Sequence, residues 1–163
     1  MAKFTISGGK PLRGSVRLGG AKNVSFKLMI ASLLCDSQSR ILNIPDIADV
    51  HITKEIMELL GAKLIDCGER IYCIQTEKLN SWQIPEKFGP ISRAASLFAG
   101  PLLARFGQAQ FPLPGGDQVG KRPIERHLEG LKALGAKVSF SNSTVTLTST
   151  GLKGANYRFA KNT

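Results

Sequence analysis

An internal repeat constrains this chain more than any other feature. Leu59-Leu60-Gly61-Ala62-Lys63-Leu64 recurs as Ala133-Leu134-Gly135-Ala136-Lys137-Val138. Apolar residues at helical spacing precede each glycine: Ile52, Ile56, Leu59 and Leu60 in the first copy, Leu128, Leu131 and Leu134 in the second. Gly61 and Gly135 then stand where a helix C-terminus takes a left-handed residue. After each glycine the pattern alternates, turns and alternates again, over 62–65 with 71–74 and over 138–140 with 145–147. Each pair reads as a β-hairpin, the first turning at Gly68-Glu69-Arg70. Earlier in each copy a small-residue helix is expected, over 22–34 and 91–104, followed by a strand over 40–44 and 108–113. The unit is helix, strand, helix, strand, strand, with a further strand feeding in.

A third copy begins. Leu12-Arg13-Gly14 opens the first unit, and Leu152-Lys153-Gly154 reappears ahead of a strand expected over 156–159. Residues 1–7 also alternate like a strand. The fold class is α/β (α+β), with a first repeat unit over 21–84, a second over 85–150 and the start of a third over 151–163. Repeat units bury their faces against neighbours, so the third unit is expected to continue in a longer protein or to be completed by a partner. A complete two-repeat domain is the alternative.

The charge narrows the partners. The chain carries a net charge of +10, which calls for an anionic partner. The basic residues are scattered and form no run of the kind that marks a nucleic-acid tail. Aromatic residues are 7% of the chain, with no stacking set among them. Hydrophobic residues at 42% suit a soluble globular domain. The longest apolar run, 28–34, is too short to span a membrane. With no signal-peptide pattern at the start, a cytoplasmic location is expected. Cys35, Cys67 and Cys73 match no metal motif. Cys67 and Cys73 flank the first hairpin turn; a disulfide is conceivable there, but reduced core thiols are the expectation for the cytosol.

Two glycine loops lead into helices. Gly19-Gly20-Ala21-Lys22-Asn23 joins a strand to a helix, where free N–H groups and the positive dipole end favour an anion and Lys22 adds a charge. The second is Pro114-Gly115-Gly116-Asp117-Gln118-Val119-Gly120-Lys121-Arg122-Pro123, with Pro123 suited to a first helical turn. Solvated turns are the plain reading of each loop, and their paired positions in the repeat favour ligand binding. Arg93 opens the next helix, against its dipole unless an anion offsets it. Asp117 could act as a general acid if its pKa were raised, although Lys121 and Arg122 favour its ionised form; a solvated turn Asp is the competing reading. His127 alone reads as structural, and Trp82 has no assigned role.

These residues resemble a known family. Gly20-Ala21-Lys22-Asn23, Arg93-Ala94-Ala95-Ser96, the run from Gly100 to Gly107, Leu113-Pro114-Gly115-Gly116, and Gly120-Lys121-Arg122-Pro123 with His127 are similar to the UDP-N-acetylglucosamine enolpyruvyl transferases. The similarity covers essentially the whole chain. It implies an enolpyruvyl-transferase repeat fold, an inside-out α/β barrel of two domains with three units each. This chain would hold two of the three units of one domain, and residues 1–20 would supply strands of the other. The implied reaction moves the enolpyruvyl group of phosphoenolpyruvate to the 3′-hydroxyl of UDP-N-acetylglucosamine, with release of phosphate and with no metal or other cofactor.

By that resemblance Lys22, Asn23 and Arg122 contact phosphoenolpyruvate. Arg93, Arg122, Pro123, Ile124, Glu125, Arg126, Lys161 and Thr163 border the sugar nucleotide, and His127 lies close by. Asp117 occupies the place of the family's proton-donating cysteine, which fosfomycin alkylates. A carboxylate donates a proton but offers no soft thiolate, so fosfomycin insensitivity is expected. The other half of the site would lie in the second domain, so this chain alone is expected to be inactive. Three alternatives remain: the related shikimate-pathway transferase, which usually carries a Ser-Lys pair at the first loop, a non-catalytic anion- or nucleic-acid-binding domain of the same fold, and an inactive paralogue.

Overall fold

The computed structural model describes residues 3–9, 11–113 and 124–158. The repeat appears as two successive sets of elements. The first set is α1 (Lys22–Ala31), a 3₁₀ turn (Ser32–Leu34), β1 (Ser39–Ile41), α2 (Ala48–Leu59), β2 (Lys63–Asp66) and β3 (Tyr72–Gln75). The second is a 3₁₀ segment (Arg93–Phe98), α3 (Ala99–Phe106), β4 (Gln108–Pro112), α4 (Glu125–Ala133), β5 (Lys137–Ser141) and β6 (Thr144–Thr148). A short 3₁₀ turn, Glu86–Phe88, lies between them.

Each set forms a three-stranded antiparallel sheet with the hairpin's second strand in the middle: β1-β3-β2 and β4-β6-β5. The expected hairpins are those of the structure. Gly61 (φ 96°) and Gly135 (φ 99°) take the left-handed conformation that stops α2 and α4. A side chain on Gly61 would also meet the Lys78 carbonyl oxygen at 2.7 Å.

The two sets share one hydrophobic core. Phe26, Met29, Ile30 and Leu33 from the α1 region meet Ile56, Met57 and Leu60 from the α2 region, Phe98, Leu102 and Leu103, and the inward faces of the sheets through Ile74, Phe111, Val145 and Leu147. Both edge strands β2 and β5 are largely exposed, and α4 buries only Leu128. Arg105 ties the sets together. One of its guanidinium nitrogens donates to the Cys35 carbonyl (2.7 Å) and another to the Thr76 carbonyl (3.1 Å).

Several expectations change in detail. Residues 3–9 form no strand, and Phe4 and Ile6 are exposed; alternation marks a strand only when a neighbour supplies hydrogen-bond partners. Residues 156–158 are likewise not a strand, and the rest of that expected strand lies outside the described residues. The helix expected over 91–104 begins at Arg93 as a 3₁₀ segment capped by Ser92, whose hydroxyl accepts from the Ala94 N–H (3.1 Å). It becomes α-helical at Ala99 and ends at Gly107, with φ 68°. Pro101 falls in the first turn of α3, where its missing N–H costs nothing. The cysteines are not core thiols: Cys35 and Cys67 are exposed and Cys73 is half-buried.

The strand feeding into the second set is present in its shortest form. Gln83 bridges Gln110 in parallel. The Ile84 N–H donates to the Gln110 carbonyl and the Gln110 N–H to the Trp82 carbonyl, both at 2.9 Å.

Candidate functional site

The first glycine loop does place Lys22 and Asn23 at a helix start. Lys22 is the first residue of α1, and its N-cap, Ala21, provides no side-chain cap. Ser25 back-bonds the Ala21 carbonyl through its hydroxyl (2.9 Å) and secures the first turn. No acidic residue stands in that turn, so the positive end of the helix is left without an internal counter-charge.

Lys22 meets its counter-charge from the neighbouring helix. Its Nζ lies 2.8 Å from Asp49 Oδ2, and Asp49 sits in the first turn of α2. The carboxylate therefore answers the α2 dipole and the Lys22 ammonium together. Both groups are substantially exposed, 58% and 39%, so the pair contributes only about 0–1 kcal/mol. An incoming anion can take the ammonium from Asp49 at small cost. Sequence reasoning missed Asp49; the available signal was an acidic residue at the start of a predicted helix.

The glycines of this loop have a structural duty. A Cβ on Gly20 would fall 1.7 Å from the Asn43 carbonyl oxygen. Gly20 therefore lets the chain press against another loop of the same protein. Asn43 itself holds φ 56°. Next to it, the Ile44 N–H donates to the Arg70 carbonyl (2.9 Å), and the Arg70 guanidinium lies beside Gly19. Arg70 on the first hairpin turn thus adds a cation next to the α1 approach, again unforeseen.

The remaining residues divide into two groups. Arg93 opens the 3₁₀ segment that packs against α1. Ile124 caps α4, half-buried against the core, and Glu125, Arg126 and His127 form its first turn, where the His127 N–H donates to the Ile124 carbonyl (3.0 Å). Glu125 and His127 are exposed and Arg126 is half-buried. Asp117, Arg122, Pro123, Lys161 and Thr163 lie outside the described residues, as do the other residues of the second glycine loop from Pro114 onward. Among the described residues, no cluster of three metal-ligating side chains occurs and no helix is long and apolar enough to cross a membrane.

Comparison with known proteins places this arrangement. The chain is 40% identical over 159 residues to UDP-N-acetylglucosamine 1-carboxyvinyltransferase 3 of Caldanaerobacter subterraneus, which covers 98% of the chain and 38% of that relative. It is 39% identical over 156 residues to UDP-N-acetylglucosamine 1-carboxyvinyltransferase of Idiomarina loihiensis, covering 95% of the chain and 37% of the relative. The chain thus spans little more than a third of the length of these curated relatives. Among solved structures, the enolpyruvyl transferase NikO from Streptomyces tendae superposes with a TM-score of 0.75 at 22% identity, over 90% of this chain and 32% of that one. EPSP synthase from Acinetobacter baumannii gives 0.63 at 19% identity, over 88% and 34%. At such identities the likeness concerns the fold alone, and that fold is the enolpyruvyl-transferase fold. The family model for EPSP synthase (3-phosphoshikimate 1-carboxyvinyltransferase) matches residues 6–163, and the chain belongs to that family.

Proposed function

We propose that this chain is part of an enolpyruvyl transferase acting on UDP-N-acetylglucosamine. The observation that carries the reading is the 40% identity, across 98% of the chain, to a relative bearing that activity's name. The uncapped α1 N-terminus, with a Lys22 held only by an exposed ion pair, supports it.

The reaction is an addition followed by an elimination. The sugar's 3′-hydroxyl gives up its proton to a base as its oxygen bonds to C2 of phosphoenolpyruvate, while a proton is delivered to C3. The tetrahedral adduct then loses a proton from C3 and expels phosphate. Lys22, Asn23 and Arg122 would hold phosphoenolpyruvate, and arginines suit its phosphate and carboxylate because they bind such groups in bidentate fashion. Arg93, Pro123, Ile124, Glu125, Arg126, Lys161 and Thr163, with Arg122, would border the sugar nucleotide, and His127 would support them. Asp117 would deliver the proton. The bound phosphate would offset the cations that otherwise keep this carboxyl ionised.

Residues 1–20 would belong to a second domain, and substrates would close between the two domains. The activity therefore belongs to a protein longer than this chain, working in the cytoplasm in peptidoglycan synthesis, and insensitive to fosfomycin through Asp117.

The test is phosphate release from phosphoenolpyruvate by the full-length protein. Release that depends on UDP-N-acetylglucosamine, survives fosfomycin and falls at least a hundredfold in Asp117→Asn supports the reading. Release that depends instead on shikimate 3-phosphate overturns the substrate assignment. A covalent fosfomycin adduct on Asp117 overturns the insensitivity.

A further inference from the structure

The first hairpin carries a pair of thiols that the transferase chemistry does not use. Cys67 directly follows β2, and Cys73 lies within β3. Their sulfurs stand 2.8 Å apart, nearer than unbonded sulfurs ordinarily come. The hairpin enforces this approach. Ile65 pairs with Cys73, and the Cys67 N–H donates to the Ile71 carbonyl at 2.9 Å. The two cysteines are therefore diagonal neighbours on one face, across which their sulfurs meet. The turn between them is itself well tied. The Gly68 N–H donates to Asp66 Oδ1 and the Ile71 N–H to the Gly68 carbonyl, both at 2.9 Å.

The pair is also accessible. Cys67 is exposed and Cys73 half-buried, at the solvent end of the hairpin. Arg40 pairs with Cys73 from β1 and favours its thiolate. The contact with Cys67, and then desolvation, act more strongly and raise the Cys73 pKa above the ordinary thiol value.

We propose that Cys67 and Cys73 form a reversible dithiol–disulfide site that reacts with small disulfides of the glutathione class. One thiolate attacks a sulfur of the oxidised reagent and releases one thiol. The second cysteine then displaces the other half of the reagent as a second thiol. The protein loses two hydrogens and gains one S–S bond, while the reagent's S–S bond is reduced. Closing the bond asks the sulfurs to move by under about 1 Å, towards the ~2.0 Å of a disulfide. An exposed cross-link closing so short a loop adds less stability than one closing a long loop and remains open to reduction. The turn that it clamps includes Arg70, whose carbonyl accepts from the Ile44 N–H after β1 and whose guanidinium lies beside Gly19, ahead of Lys22.

The test titrates the full folded chain with mixtures of oxidised and reduced glutathione, quenches with iodoacetamide and maps the peptides. The expected product carries a Cys67–Cys73 cross-link, with Cys35 alkylated or singly glutathionylated. In Cys73→Ser the cross-link disappears and glutathione stays on Cys67, at least tenfold more than in the wild type. Cys67 and Cys73 remaining as alkylatable as Cys35 under oxidising conditions would overturn the proposal. So would a stable glutathione adduct on wild-type Cys67.

Discussion

The two sheets are built from the same repeat, yet they close differently. In the second, residues 82–84 lie along β4, and Ile84 is 3% exposed. In the first, the corresponding approach, around Val16, runs extended and exposed; Val16 is 88% exposed and β1 has three residues where β4 has five. The repeat therefore specifies helices and hairpins within a unit, whereas the fourth strand of a sheet depends on what precedes the unit. An edge strand without a neighbour leaves a row of unpaired N–H and carbonyl groups, and the shortness of β1 limits that exposure.

The largest expected effect tests whether the two sets are one folding unit. Phe111→Ala in β4 removes a fully buried ring and should cost about 3–5 kcal/mol. Because the core is continuous, tyrosine fluorescence and far-UV circular dichroism should lose their signals at the same lowered denaturant midpoint. A transition in which the first set outlasts the second would break the comparison at its root.

Next comes the difference in closure itself. Ile84→Ala should cost about 2–5 kcal/mol. Val16→Ala, in the exposed approach to the first set, should stay within about 0.5 kcal/mol. Equal effects in urea melts would mean that Val16 is covered in solution.

The link between the sets is smaller. Arg105→Ala removes charge-assisted hydrogen bonds to the Cys35 and Thr76 carbonyls. For a half-exposed side chain this should cost about 1–2 kcal/mol. Hydrogen exchange should show the loss spread over both sets, since the partners lie in the first and α3 in the second.

The smallest effect sits at the start of the third copy. Lys153 donates its N–H to the Leu134 carbonyl (2.9 Å), much as Asn80 donates to the Leu60 carbonyl (3.0 Å). Tyr157 adds a hydrogen bond from its hydroxyl to Glu129 Oε2 (2.8 Å). That bond, then desolvation and the Glu129 charge, raise the Tyr157 pKa, with Arg126 opposing. A raised folded-state pKa means that the contact stabilises fully below the ordinary tyrosine range and is lost as pH rises through the higher value. Tyr157→Phe should slightly lower amide protection at Lys153 near neutral pH, and the difference should vanish in strong alkali.

Legibility in the sequence followed the range of the forces involved. Gly61 and Gly135, the amphipathic stretches before them and the two hairpin alternations are local signals. The structure carries each of them, with strand ends shifted by a few residues. The 3₁₀ opening over Arg93–Phe98 has no distinct periodic signal, because its apolar spacing also suits an α-helix. Residues 3–7 and 156–158, expected within strands, form none, since alternation says nothing about whether a neighbouring strand is there. At the candidate site, Lys22 and Asn23 were legible from the glycine loop, whereas Asp49 and Arg70 were not.

By itself the sequence determined the repeat, the helix stops, the hairpins and the placing of a lysine at the start of α1, because each depends on residues within a turn or two of one another. The tertiary structure alone decided that Asp49 neutralises Lys22, that Gly20 is needed for the Asn43 carbonyl and that Arg105 bridges two carbonyls of the first set. Those contacts join different elements. Only packing, driven by burial of one continuous apolar core, brings such groups within a few ångströms of each other.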